Sequence, residues 1–99
     1  MYYAISGQDV TDSHARRQAA RPAHVQRLEQ LKNQGRLLLA GPYPAIDAED
    51  PGAAGYSGSL IVAAFDSLED ARAWADADPY VSSGVYAEVS VRPFRKVLP

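Results

Sequence analysis

The chain has 99 residues, of which 46% are hydrophobic and 22% charged, and its formal net charge is −2. This length predicts a single domain over residues 1–99, and the ordinary globular composition excludes a disordered or collagen-like protein. The slightly acidic charge argues against a nucleic-acid partner, and the absence of cysteine excludes disulfides, thiolate nucleophiles and zinc–thiolate sites.

The chain carries no recognisable export or membrane signal. Its first five residues lack the basic and long apolar regions of a secretory signal. No apolar stretch approaches the roughly 18–20 residues that a spanning helix requires. We therefore expect a cytoplasmic protein that does not associate with a membrane.

The first part of the chain predicts a strand followed by two helical segments. Residues 2–7 are aromatic and apolar, which is typical of a strand, and residues 11–13 offer N-caps for a helical run to Ala20. Pro22 disfavours helical geometry at the residue before it, so we expect a break at Arg21. The proline suits the first turn of a new helix, which we expect to begin there.

The second helical segment places a histidine on an apolar face. His24, Leu28 and Leu31 follow the i, i+4, i+7 spacing of one helical face, and Gly35 suits the left-handed position after the helix end. In this prediction His24 lies in the first turn, where the helix dipole and burial both disfavour the charged imidazolium. A neutral imidazole is what a general base requires near neutral pH.

The rest of the chain predicts three strands and a second helix. The strands are expected at 37–40, 59–65 and 85–97, and the helix begins after Ser67 as N-cap and ends at Asp78-Pro79. Residues 44–58 show no periodicity and predict a long loop of the kind that often forms a lid or a binding loop. Pro93 indicates that the last strand is an edge strand or contains a bulge.

The order of elements predicts the fold class. A β-α-β-β-α-β order is that of the ferredoxin-like α+β fold, in which two helices pack on one face of a four-stranded antiparallel sheet. A chain of this length has no second layer for the other face. We therefore expect a homodimer whose sheets pack face to face, because a large open apolar face requires a cover.

Several short stretches together resemble the YCII-related (YciI-like) family over essentially the whole chain. They are Arg21–His24, Gly35–Pro42, Gly55–Ser59, Ala73–Tyr80, Val85-Tyr86 and Val91–Phe94. The resemblance implies a ferredoxin-like fold, a dimeric α/β barrel and an active site built on a His–Asp pair, which matches His24 and Asp78 here. The family includes a dehydrochlorinase of aromatic degradation and is similar to muconolactone-isomerase-type barrels, which implies elimination or isomerisation.

His24 and Asp78 also form a plausible pair on chemical grounds. Both predicted helices lie on one sheet face, so the two side chains are able to meet. The carboxylate would then fix the imidazole tautomer and stabilise the cation formed during proton transfer. The alternative is that His24 is a core histidine bonded to a backbone group and that Asp78 only ends a helix.

Five further residues are candidates for contact with a small-molecule substrate: Arg21, Gly41, Pro42, Ser59 and Tyr80. Arg21 belongs to the matching stretches, so we favour it over Arg16 and Arg17 as the partner of a substrate carboxylate. The alternative is that all three arginines form a solvated face. Glycine at 41 allows a ligand to approach the backbone, and a tyrosine at 80 is suited to a pocket wall or to core packing.

No cofactor signature is present. His14 and His24 are ten residues apart, which is not a metal-ligand spacing, and we expect His14 to be solvated. The acidic loop at 47–50 lacks the EF-hand pattern, and no P-loop, dinucleotide fingerprint or serine triad is found. We therefore expect no metal and no cofactor. Two functions remain open: a cofactor-free acid–base enzyme, and a non-catalytic dimeric module that binds a small ligand or only assembles.

Overall fold

The computed structural model describes all 99 residues as four strands and three helices. In chain order they are β1 (Tyr2–Asp9), α1 (His14–Asn33), β2 (Leu37–Pro44), β3 (Tyr56–Ala64), α2 (Leu68–Asp76), α3 (Pro79–Ser82) and β4 (Tyr86–Phe94). None of the helices is long and apolar enough to span a membrane.

The four strands form one antiparallel sheet in the order β2-β3-β1-β4. Ile5 in the centre of β1 pairs with Ile61 on one side and with Val91 on the other. The predicted ferredoxin-like α+β fold is therefore confirmed. β4 is an edge strand, as Pro93 predicted, because an edge tolerates a residue that cannot donate to the ladder.

The main core lies between the helices and one face of the sheet. Alternate residues of β1 and β3 point towards the helices, and they pack with residues of α1, α2 and β4 in one buried cluster: Tyr3, Ile5, Leu31, Ile61, Ala63, Phe65, Ala71, Ala75 and Val91. Trp74 on α2 packs against this cluster, and its ring centroid lies 5.8 Å from that of Phe65. Successive side chains of a strand point to opposite faces of the sheet, so the residues between these core positions lie on the face away from the helices.

α1 is one continuous helix, so the predicted break at Arg21 is wrong. The helix runs from His14 to Asn33 with Pro22 inside it. An interior proline destabilises a helix by about 3 kcal/mol. Full burial of a large apolar side chain such as Leu31 contributes about 1.5–3 kcal/mol, so packing of residues on both sides of Pro22 outweighs the local preference.

The continuity of α1 changes the surroundings of His24. The histidine lies in the middle of the helix rather than in its first turn, so the argument from the helix dipole does not apply, because that effect falls off within one turn. The continuous helical phase also brings Arg17 onto the face that carries His24. Arg17 is buried, which contradicts the alternative that all three arginines of this region form a solvated face.

The first three strands are longer than predicted, and the central loop is shorter. The fourth strand is shorter than the predicted 85–97, because it ends at Phe94. β2 continues through Gly41 and Pro42, and β3 begins three residues early at Tyr56, which leaves a connection over residues 45–55. A single 3₁₀ turn at Gly52–Ala54 lies within it. Residues at both ends of the predicted loop instead pair between β2 and β3. β2 is an edge strand, so its prolines do not remove a hydrogen bond to a further strand.

Gly7 is a position where the fold excludes a side chain. A Cβ atom at residue 7 would lie 2.5 Å from the ring of Tyr86, which covers this part of the sheet. Gly7→Ala should therefore lower the free energy of unfolding by about 1–3 kcal/mol, since the ring has to shift. Gly41→Ala is the matched control, because a Cβ there meets nothing within 4 Å. Equal urea midpoints for both variants would contradict the expectation.

Candidate active site

His24 and Asp78 are in direct contact. Nδ1 of His24 lies 2.8 Å from Oδ1 and 3.0 Å from Oδ2 of Asp78. Both residues are buried, with 6% and 2% of their surfaces exposed. α1 supplies the histidine from its middle, and the short connection between α2 and α3 supplies the carboxylate.

The hydrogen bond fixes the tautomer of a neutral His24. A carboxylate can only accept, so Nδ1 must donate to Asp78 and the ring lone pair lies on Nε2, which points away from Asp78. Nε2 makes no hydrogen bond within the chain, and it is not sealed from solvent, because the only fully buried unpartnered side-chain nitrogen or oxygen is Nη1 of Arg27. The arrangement leaves a proton acceptor free to meet a ligand.

Asp78 is held in place because it begins α3. Its backbone is extended, its Oδ1 accepts the Tyr80 N–H at 2.8 Å as an N-cap, and Pro79 occupies the first helical position. The sequence signal that predicted the end of one helix in fact marks the start of the next. One carboxylate therefore caps a helix and orients the histidine.

The rings of Tyr80 and His24 are stacked. Their centroids are 3.9 Å apart and their planes differ by 9°. The stack limits the imidazole to rotation within its own plane, and the hydrogen bond to Asp78 removes that freedom as well. Burial raises the pKa of Tyr80, with Arg17 acting in the opposite direction, so the phenol is neutral at physiological pH.

Arg27 approaches the site from the side of α2. Its Nη2 donates to the Trp74 carbonyl at 2.9 Å, and its Cζ lies 4.2 Å from the centroid of the Trp74 ring. Burial lowers the pKa of Arg27, and the negative charge of Asp78 opposes that change. The carboxylate of Asp78 therefore interacts with the positive charge of Arg27 as well as with His24.

His24 lies in the wall of a cavity of about 370 Å³ between α1 and the sheet. The lining includes Arg21, Gly41, Pro42, Ser59 and Tyr80, which are the five candidates for substrate contact. Asp78 lies behind His24 and does not line it. The remaining lining residues are His14, Arg17, Gln18, Val25, Leu28, Ala40, Tyr56 and Ile61. Trp74 packs in the core and leaves the cavity open.

Small side chains on β2 and β3 create this cavity. Pro42 pairs with Ser59, and Ala40 pairs with Ile61, under the polar half of α1. The main core fills the equivalent space at the other end of α1, where Leu31 is buried. A strip of small residues therefore leaves room for a ligand next to His24.

Arg17 and Asp9 form a second buried pair that the sequence did not predict. Nε of Arg17 lies 2.6 Å from Asp9 Oδ2, and Nη2 lies 2.9 Å from Oδ1. The Ser13 hydroxyl donates to Asp9 at 2.6 Å instead of capping α1. Burial alone would lower the pKa of Arg17, but the hydrogen bonds and charge of Asp9 raise it. The seven-residue spacing from His24 would have indicated Arg17 if α1 had been predicted as unbroken.

Arg21 and His14 lie nearer the solvent than Arg17. Both are exposed residues of α1 that border the cavity. Arg16 points elsewhere and donates to the Gly84 carbonyl at 3.0 Å. No group of three or more His, Asp or Glu side chains is arranged to hold a metal ion.

Tyr86 gives the site region a measurable dependence on alkaline pH. Burial raises its pKa to about 12, against a smaller opposing effect of Ser59. An unfolded tyrosine ionises near its ordinary value of about 10. The contribution of Tyr86 to stability is therefore fully present below about pH 10 and is lost as pH rises towards 12.

We expect the fall in stability of the wild type between pH 10 and 12 to be steeper than that of Tyr86→Phe, measured by urea unfolding. NMR of the tyrosine Cζ carbons should show one late-titrating phenol that this variant lacks. Parallel pH profiles for the two proteins would contradict this assignment.

Comparison with known proteins extends these observations. The fold superposes on 5-chloro-2-hydroxyhydroquinone dehydrochlorinase (TftG) from Burkholderia phenoliruptrix, solved in complex with 2,5-dihydroxybenzoquinone, with a TM-score of 0.83. The match covers 96% of this chain and 94% of that one at 22% sequence identity, which establishes similarity of fold alone.

Sequence relatives are much closer. The chain is 60% identical over 97 residues to the protein YciI of Escherichia coli O6:H1, which covers 98% of this chain and 99% of the relative. It is 52% identical over 97 residues, with the same coverage, to an uncharacterized protein of Haemophilus influenzae. The family model of the YCII-related domain matches residues 1–95. The chain therefore belongs to the YCII-related family.

Proposed function

We propose that this protein is a cofactor-free enzyme that transfers protons with His24 as general acid and base. The single observation that carries the proposal is the hydrogen bond between His24 Nδ1 and Asp78, made at the wall of an open cavity. That bond leaves Nε2 as the proton acceptor on the cavity side. The substrate is a small carboxylated or ring-derived molecule.

The proposed reaction begins when Nε2 of His24 removes a proton from a carbon next to an electron-withdrawing group. The electron pair of the broken C–H bond forms a double bond. It then either expels a leaving group such as halide, which is elimination, or is reprotonated at another carbon, which is isomerisation. Asp78 accepts the Nδ1–H bond throughout and stabilises the imidazolium, which returns its proton to product or solvent.

The solved structure of similar fold supports an elimination of this kind. TftG is a dehydrochlorinase, and it was solved with a ring-shaped ligand. Loss of HCl requires a base and a leaving group but no redox cofactor. Such chemistry suits a cavity with one oriented histidine.

The five candidates for substrate contact have different roles in this proposal. Arg21 at the mouth attracts an anionic substrate by its charge. Gly41 and Pro42 form a wall without a large side chain, Ser59 offers a hydroxyl, and Tyr80 supports the histidine ring from behind.

We further propose that the protein is a homodimer whose sheets pack face to face. The face opposite the helices carries Leu39, Tyr43 and Phe94, which are each 39–47% exposed. The same face also bears the opposite charges of Glu88 and Arg92 on β4, which a self-complementary interface is able to pair. Burial of this apolar surface is the driving force for association.

The test of the catalytic proposal is a screen of small unsaturated and halogenated acids for turnover. His24→Ala should lower kcat/KM by about 10²–10⁴-fold, the usual contribution of a positioned acid–base group. Asp78→Asn keeps a capping oxygen for α3 but alters the hydrogen bond to the ring, so it should also lower kcat. Asp76→Asn is the control, since this exposed carboxylate lies two residues away.

Equal turnover by the wild type and His24→Ala would remove His24 from the mechanism. Saturable binding of the acids without turnover by any of the proteins would instead favour a non-catalytic module that binds a small ligand.

Light scattering coupled to size-exclusion chromatography tests the dimer. We expect about twice the chain mass of 10.7 kDa. Leu39→Lys should shift the population to monomer, because a charge would be buried in the apolar interface. Leu68→Lys is matched in exposure, at 46% against 47%, but lies on α2 away from the open face and should stay dimeric. A wild-type monomer would overturn the proposal.

A further inference from the structure

Arg17 has one guanidinium nitrogen available to a ligand. Nε and Nη2 are engaged by Asp9, and Nη2 also donates to the Gly58 carbonyl at 3.0 Å and to Ser59 Oγ at 2.9 Å. Nη1 meets the distance and angle of a hydrogen bond with no group of the chain, and it is not fully buried, since Arg27 Nη1 is the only such unpartnered atom. The phenol of Tyr80 is close enough for Arg17 to oppose the rise that burial causes in its pKa, but it leaves the second N–H of Nη1 for a ligand. Because Arg17 lines the cavity, Nη1 offers an N–H donor to whatever occupies it.

The cavity wall carries donors but no carboxylate. Among its 14 lining residues there is no Asp or Glu. Asp9 lies behind Arg17 with its oxygens already occupied by Arg17 and the Ser13 hydroxyl. An anion would therefore meet the free edge of a buried guanidinium without a competing negative side chain. Hydrogen bonds between ionised groups are strong in such a partly dehydrated setting.

Two tyrosines set the shape of the space beside Arg17. Its Cζ lies 5.0 Å from the ring centroid of Tyr80 and 5.5 Å from that of Tyr56. His24 stacks on the same Tyr80 ring. Arg17 and His24 are about 10 Å apart along the axis of α1, and their side chains converge on Tyr80. A ligand that contacts both has to extend along the Tyr80 ring, which a single ring with one attached anionic group is able to do.

We propose that Arg17 anchors the carboxylate of the substrate and that the substrate class is a small ring carboxylate. The carboxylate accepts a hydrogen bond from Nη1, the ring lies among Tyr56, Leu28 and Ile61, and the reacting carbon faces Nε2 of His24. Arg21 attracts the anion at the mouth, and Arg17 binds it. This assignment deepens the proton-transfer function proposed above and depends on it for the reaction, but the anion site itself is testable by binding alone.

The experiment measures binding of benzoate, an unreactive ring carboxylate, by NMR titration of the full-length protein. Benzamide supplies the ring without the charge, and acetate supplies the charge without the ring. We expect benzoate to bind at least about tenfold more tightly than either, because the site uses both the charge and the ring. Equal affinity for benzoate and benzamide would overturn the anion anchor, and equal affinity for benzoate and acetate would overturn the ring carboxylate as substrate class.

Arg17→Lys is the decisive variant. Lysine can keep the ion pair with Asp9, but it has a single nitrogen and no second one to offer to the cavity. Benzoate affinity should fall about tenfold to a hundredfold, as expected for loss of a hydrogen bond between charged groups. Arg16→Lys is the matched control, because it makes the same replacement one residue away and outside the cavity lining. An equal loss in both variants would show that the effect does not come from a guanidinium in the cavity and would overturn the proposal.

A second variant guards against misfolding. Asp9→Asn combined with Arg17→Gln removes both buried charges together, so no uncompensated charge remains, and it should lose benzoate binding as Arg17→Lys does. Arg21→Gln should weaken binding less than either. If Arg21→Gln alone abolishes binding, the carboxylate sits at the mouth and the assignment to Arg17 is wrong.

The two proposals fail in different ways. If benzoate binding depends on Arg17 while His24→Ala keeps full turnover of the screened acids, the anion site stands and the proton-transfer function falls. If His24→Ala loses turnover while Arg17→Lys binds benzoate as the wild type does, only the assignment of Arg17 falls.

Discussion

The passage of α1 across the sheet as one unbroken helix is the constraint on which the rest of the structure depends. Its phase places Arg17, His24 and Leu31 at intervals of seven residues, which is a single stripe along the helix. Leu31, at the apolar end of the stripe, belongs to the main core. Arg17 and His24, at the polar end, border the cavity. Fixing the helix over the core therefore also fixes the geometry of the site.

This arrangement gives the space between α1 and the sheet a packed end and an open end. At one end, the large side chains of Leu31, Phe65 and Trp74 fill the space between helix and sheet. At the other end, Ala40, Pro42 and Ser59 leave it open. Polar groups replace apolar contacts at the open end. The two buried carboxylates there, Asp9 and Asp78, each have a partner on α1. These partners limit the destabilisation that an unpaired buried charge would cause.

Much of the fold follows from sequence pattern, because strand alternation, helix stops and element order are local properties. Ser67 caps α2 through the Asp70 N–H, and Gly35 adopts a positive φ after α1, both as predicted. The break at Arg21 was wrong because the local preference of a residue before proline was outweighed by packing that only the tertiary structure supplies.

The same error hid part of the candidate site. A helix divided at Arg21 gives Arg17 no fixed phase relative to His24, so its burial was not predictable. Asp9 was missed for a different reason. Its position beside Arg17 depends on strand register, which pairs Asp9 with Tyr86 across a bulge, and no local pattern specifies that pairing. Tyr86 is, like Tyr80, of a type suited to a pocket wall, but it covers Gly7 and does not line the cavity. The contact between His24 and Asp78 was expected from family resemblance and helix placement, and the two side chains do meet in the structure.

The double duty of Asp78 has a consequence for how this chain can vary. One residue follows the end of α2, caps α3 and holds the imidazole, so the fold and the orientation of His24 depend on the same position. A library sorted only for soluble expression would already be depleted of most replacements at residue 78, whereas His24 has no such structural duty towards a helix end. Residue 78 should therefore tolerate fewer substitutions than residue 24, although the two side chains are in contact. The difference would measure the structural demand on Asp78 separately from any demand of the proposed reaction.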